Sequence, residues 1–142
     1  MINKWEYKQR YAQLELETAL DPLLLKQRYQ GATSVFPFTV YGKTIDGVTY
    51  NDQFIEAHSK NVQKNLRKYL DKQLSPAFDE YPELKELMSN DLTSANFSRI
   101  MQITQAKEFF MHKDLKTWDK FITGLYDVAL NNIDPLSYEN LE

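Results

Sequence analysis

The chain has no cysteine, and that absence removes disulfides, thiolate metal sites and cysteine nucleophiles together. It has two histidines, His58 and His112, so imidazole chemistry has two places to occur. No run approaches the roughly 20 apolar residues that a membrane-spanning helix needs. The opening MINKWEYKQRYAQLELE turns polar at once and lacks the apolar stretch of a secretory leader. Cytoplasmic residence with no membrane partner is the expectation. Glycine (4) and proline (5) are too scarce for a fibrous or low-complexity chain, and no period of roughly 20–50 residues repeats. Neither sign of charge dominates: 17 basic against 20 acidic side chains give a net charge of -3, so no global field draws polyanions.

What is present is apolar material, 42% hydrophobic and 13% aromatic in 142 residues, enough for one domain over 1–142 whose core needs no covalent staple. The closing Leu141-Glu142 has the form of an expression-vector scar, which would make Asn140 the natural end. Lysine outnumbers arginine 13 to 4, a bias suited to an A·T-rich genome such as that of a low-G+C bacterium or its phages.

Prolines punctuate the chain. Asp21-Pro22 and Ser75-Pro76 pair an N-cap residue with proline at the first helical position, where a missing N–H is no loss; Tyr81-Pro82 resembles them, and Asp134-Pro135 stops the last helix. Pro37 argues against a central strand in SVFPFTV. Between these marks the pattern predicts helices at about 3–19, 22–30 (ended by Gly31), 52–74, 82–89, 93–112 and 114–132, with an extended stretch at 35–50. The fold class expected is mainly α: a bundle of four to five main helices carrying one small β-hairpin at about 40–50.

Helix 52–74 puts Ile55, His58, Val62, Leu66, Tyr69 and Leu70 on one face, with Lys60, Lys64, Arg67, Lys68 and Lys72 on the other. In the last helix Leu115, Trp118, Phe121, Ile122, Leu125, Val128 and Ala129 cover a broad arc, which predicts deep docking and a cost of about 3–5 kcal/mol for Trp118→Ala. Helix 93–112 is apolar nearly all round: Phe97, Ile100, Met101, Ile103 and Met111 on one half, Ala106, Phe109 and Phe110 behind. The first helix is two-sided, with Trp5, Ala12, Leu16 and Leu20 in one stripe and Tyr7, Tyr11 and Leu14 opposite. One stripe suffices for a core, so the second reads as surplus.

Gly42-Lys43-Thr44 ends like a phosphate-binding P-loop, but that motif needs glycine where Pro37 stands and a helix after the lysine, whereas Asp46-Gly47 turns the chain. Asp-Gly suits a type I′ hairpin, pairing Ile45 with Val48 and Lys43 with Tyr50. Tyr41, Lys43, Ile45, Val48 and Tyr50 would then form a face resting on the helices, and Asn51 or Asp52 would cap the next helix. His58, on a packed face, and His112, near a helix end, read as structural. Glu108 with His112, or Asp46 with Asp52, supplies two metal ligands and no more, so neither a metal nor another cofactor is expected. No G-x-S-x-G occurs and no catalytic set is assembled, which leans against an enzyme. Asp79, Glu80, Glu83 and Glu86 read as acids favoured at a helix start.

Two binding readings remain. The surplus apolar residues Tyr7, Tyr11, Leu14, Phe109 and Phe110 point to a protein-binding or regulatory module, a homodimer among the options. The alternative is DNA binding through a helix-turn-helix cadence at 83–103, with Asn96, Arg99 and Gln102 as base readers and the ridge Lys60, Lys64, Arg67, Lys68 on phosphates. A small-molecule or peptide sensor with an aromatic pocket between helices is the third.

Overall fold

The computed structural model describes residues 4–31, 39–105 and 115–131. Six α-helices and one hairpin occur among them: α1 (Lys4–Thr18), α2 (Pro22–Tyr29), β1 (Thr44–Ile45), β2 (Val48–Thr49), α3 (Asp52–Leu74), α4 (Pro82–Ser89), α5 (Ser94–Gln105) and α6 (Leu115–Asn131). The fold is mainly α with a small antiparallel hairpin, as the hydrophobic periodicity implies.

Local chemistry explains the starts. The Asp21 carboxylate accepts from the Leu23 N–H at 3.0 Å, with Pro22 opening α2. Asn51 accepts from the Phe54 N–H at 3.0 Å and launches α3. Ser75-Pro76 does not start a separate α-helix. It makes one 3-10 turn, Ser75–Ala77, at the end of α3. Gly31, at φ 80°, takes the left-handed conformation that ends α2. The stop at Asp134-Pro135 lies outside the described residues.

Asp46 (φ 53°) and Gly47 (φ 81°) turn the hairpin, and the register pairs Ile45 with Val48 and Thr44 with Thr49. The Tyr50 N–H donates to the Lys43 carbonyl at 2.9 Å, which continues the ladder. The expected apolar face is only partly covered: Tyr50 is buried, Tyr41 and Ile45 half-buried, and Val48 and Lys43 exposed. The turn extends past the helices that support its base, so the tip lies in water.

Among the described residues two apolar clusters form the interior. The larger joins Ala19 and Leu20 to Val62, Leu66, Leu70 and Leu74 of α3, Leu84 and Met88 of α4, Phe97 and Ile100 of α5, and Phe121 and Leu125 of α6. The smaller joins Tyr11 and Leu14 of α1, Leu25 and Tyr29 of α2, Val40, Tyr50 and Ile55. The second stripe of α1 is therefore interior. Tyr11 (0% exposed) and Leu14 (7%) are covered by α2, the hairpin base and α3, which corrects their assignment to a partner surface.

On α6 the buried stripe is Phe121, Leu125 and Ala129, while Trp118 and Ile122 are only half-buried. Trp118→Ala should thus fall below the full cost expected of a core tryptophan. Gly124 marks where α6 meets α3: a methyl there would overlap the Tyr69 hydroxyl and come within 2.6 Å of its Cζ. The Tyr69 hydroxyl in turn donates to the Phe121 carbonyl at 3.0 Å. No helix among the described residues is long and apolar enough to cross a membrane.

Candidate functional site

Among the described residues, three places that gather chemistry-bearing side chains stand out. The first is inside. Glu15 of α1 and Arg28 of α2 are both fully buried, with Arg28 Nη1 3.5 Å from Glu15 Oε1. The same Glu15 oxygen lies 2.9 Å from His58 Nε2 of α3, whose ring stacks on Phe54 at a centroid distance of 6.0 Å. Arg28 also donates to the Thr18 hydroxyl at 3.1 Å and the Tyr29 hydroxyl at 3.0 Å, and its guanidinium lies over the rings of Tyr29 and Tyr11. Burial pulls the guanidinium toward its neutral form. The Glu15 carboxylate, with Tyr11 and Tyr29, outweighs burial and holds it above the usual arginine range.

This cluster ties three helices together at a point where charge has been taken out of water. Its residues line neither of the clefts described below, so it reads as an internal tie and His58 as structural. Periodicity alone did not single out Glu15 and Arg28. The available signal was a charge standing inside an apolar stripe: Glu15 among Tyr11, Leu14 and Thr18, and Arg28 between Leu25 and Tyr29.

The second place is a groove of about 390 Å³ between α1 and α6. Every fourth residue of α6 contributes a wall, Trp118, Ile122, Tyr126 and Leu130, all half-buried. Asp119, Thr123 and Asp127 of α6 and Lys8 and Gln9 of α1 complete its lining. Gln13 donates to the Tyr126 hydroxyl at 3.0 Å and fixes that ring. Four large side chains facing five polar ones, in a groove of this size range, offer an apolar wall and a polar rim to a ligand or an inserted side chain.

The third is the basic ridge. Lys60, Lys64, Arg67 and Lys68 share one face of α3 and, with Gln63 and Asp71, line an open depression of about 600 Å³. Arg67 donates to the Met88 carbonyl at 2.6 Å and Gln63 to the Leu92 carbonyl at 2.9 Å, which pins both to the corner between α4 and α5. Lys60 pairs with Glu56 at 3.1 Å.

The three candidate base readers are engaged within the molecule. Arg99 forms a fork with both Glu83 carboxylate oxygens at 2.9–3.1 Å, and that carboxylate raises its pKa. Asn96 donates to the Asp91 carbonyl at 2.8 Å, and Gln102 accepts from Arg99 at 3.3 Å. The pair α4–α5 is a helical hairpin closed by these bonds. The Tyr7 side chain, Phe109, Phe110, Glu108 and His112 lie outside the described residues. Among the described residues no group of three or more His, Asp or Glu is arranged to hold a metal ion. No protein-family model matches the chain, and no curated protein or solved structure matches it.

Proposed function

We propose that the protein is a binding module whose recognition element is the groove between α1 and α6, and that its ligand is an apolar or aromatic segment of a protein partner. The observation that carries this reading is the row Trp118, Ile122, Tyr126, Leu130. Four large side chains are left half-buried along one wall with a polar rim beside them. Apolar area of this kind gains from a partner, and aromatic anchors in a pocket carry most of the binding energy where they occur. The burial of Tyr11 and Leu14 moves the proposed surface from the second stripe of α1 to this groove. We place the module in the cytoplasm of a bacterium or its phage, the source resting on the lysine bias.

The test is selection of random peptides against the immobilised protein, followed by fluorescence titration in a Trp5→Phe background, where Trp118 is the sole indole. Selected peptides should carry an apolar-aromatic pair, shift the Trp118 emission, and lose at least about tenfold in affinity with Thr123→Arg, an exposed change on the groove wall. Peptides that bind equally to Thr123→Arg and leave Trp118 unmoved would place recognition elsewhere. Small-molecule fragments that raise Tm while no peptide is selected would replace the partner reading with a sensor.

A further inference from the structure

We propose that the lysine row of α3 is a second docking surface, for an acidic helix of a protein partner. Lys60, Lys64, Lys68 and Lys72 are exposed and follow one another every fourth residue, a rise of about 6 Å per step. Carboxylates at every fourth position of a second helix repeat at the same spacing, and since such rows are inclined to the helix axis the two meet in register when the helices cross at about −50°. Among the described residues neither Lys64 nor Lys68 has an ion pair, while Lys60 leans on Glu56.

The face carries five cations, Arg67 included, against Glu56 and Asp71, in a chain whose net charge is -3. Its positive field is therefore local and confined to one helix face, surrounded by an acidic remainder. Three features favour a peptide helix over a nucleic-acid backbone. The overall charge repels a polyanion that extends past the ridge, Asp71 interrupts the cations within the depression, and Arg67 already donates to Met88. A helix with mixed charge can place a cation against Asp71, and a continuous phosphate chain cannot. The depression is stiffened from below, because Gln63 and Arg67 are bonded to carbonyls of the α4–α5 corner.

The experiment uses a fluorescein-labelled helical peptide of about 16 residues, long enough to be partly helical, with glutamate at every fourth position, and an isomer with the same glutamates scattered round the helix. Fluorescence anisotropy at low ionic strength should give at least about tenfold tighter binding of the in-register peptide, abolished by Lys64→Glu with Lys68→Glu. Raising salt to physiological strength should weaken but not erase the difference. Both replaced side chains are exposed, and far-UV circular dichroism with melting confirms that the double variant is folded. Equal binding of the two peptides, or binding that survives the double variant, overturns the proposal. So does retention of a duplex DNA that outcompetes the in-register peptide, or a light-scattering mass that doubles through this face, since each assigns the ridge to another occupant.

Discussion

At residue scale the informative group is Glu15, because one carboxylate answers both Arg28 and His58 with no access to water. Such a pair adds little net stability over an apolar replacement, while removal of one partner leaves a buried charge uncompensated. Glu15→Ala should therefore lower unfolding free energy by about 3–5 kcal/mol in urea titration, whereas Glu15→Leu with Arg28→Met should recover most of the loss. A single-variant cost under about 1 kcal/mol would mean that the pair is not desolvated as described. This network was latent in the sequence as charges inside apolar stripes, but periodicity says only that a position faces inward. Which opposite charge meets it across another helix is tertiary information. Asp52 offers a test by pH. The Tyr41 hydroxyl bonds its carboxylate at 2.6 Å and, with the charge of Lys26, holds its pKa below the usual carboxylate value. A lowered folded pKa contributes stability above the unfolded value of about 3.9, lost as pH falls through the folded one. Tyr41→Phe should then lower Tm slightly at about pH 6 and leave no difference at about pH 2. A gap that persists in acid would show that the Tyr41 hydroxyl stabilises the fold through a partner other than the charged Asp52 carboxylate, Lys26 being the other group it bonds.

At the scale of elements, helix existence and starts were readable because caps act locally: Asp21, Asn51 and the Asp46-Gly47 turn all do what their chemistry implies. The roles of faces were less readable. The second stripe of α1 looked surplus on the premise that one core needs one stripe, and the structure has two clusters with α1 between them. The broad arc of α6 likewise divides into a buried stripe and a groove wall, a division that depends on where α1 ends up. Gly124 shows the same limit, since a glycine within a helix looks like a weakness until Tyr69 is seen against it. Gly124→Ala raises helix propensity by about 1 kcal/mol and would ordinarily stabilise. Here the methyl overlaps the phenol, so a net loss of about 1–3 kcal/mol is expected. Tyr69→Leu should make the same alanine neutral or favourable in a double-mutant cycle, and an additive cycle would rule out the contact as the cause.

For the whole molecule, the architecture was legible and the site was not, because a groove is a relation between two helices distant in sequence. Lys8 and Leu130 line one wall and its opposite number without any local signal that they meet. The same long-range logic bears on unfolding. The two clusters share their longest helix: Ile55 of α3 belongs to the smaller, while Val62, Leu66, Leu70 and Leu74 belong to the larger. The first helix is shared as well, since Tyr11 and Leu14 pack in the smaller cluster and Ala19 and Leu20, just beyond its end, in the larger. An α-helix propagates cooperatively once nucleated, so loss of one cluster strips half the packing from helices the other depends on. The two should unfold together. Trp118, in the Trp5→Phe background, reports on the larger cluster by fluorescence, and near-UV circular dichroism adds the smaller cluster through buried Tyr11, Tyr29 and Tyr50, summed with the aromatics of the larger. The two urea midpoints should coincide, as two-state unfolding requires. Phe121→Ala in the larger cluster, costing about 3–5 kcal/mol, and Leu25→Ala in the smaller, about 2–5 kcal/mol, should each move both signals by the same amount. A variant that shifts one signal alone would show that the clusters are separate folding units, with α1 and α3 able to melt at one end while held at the other.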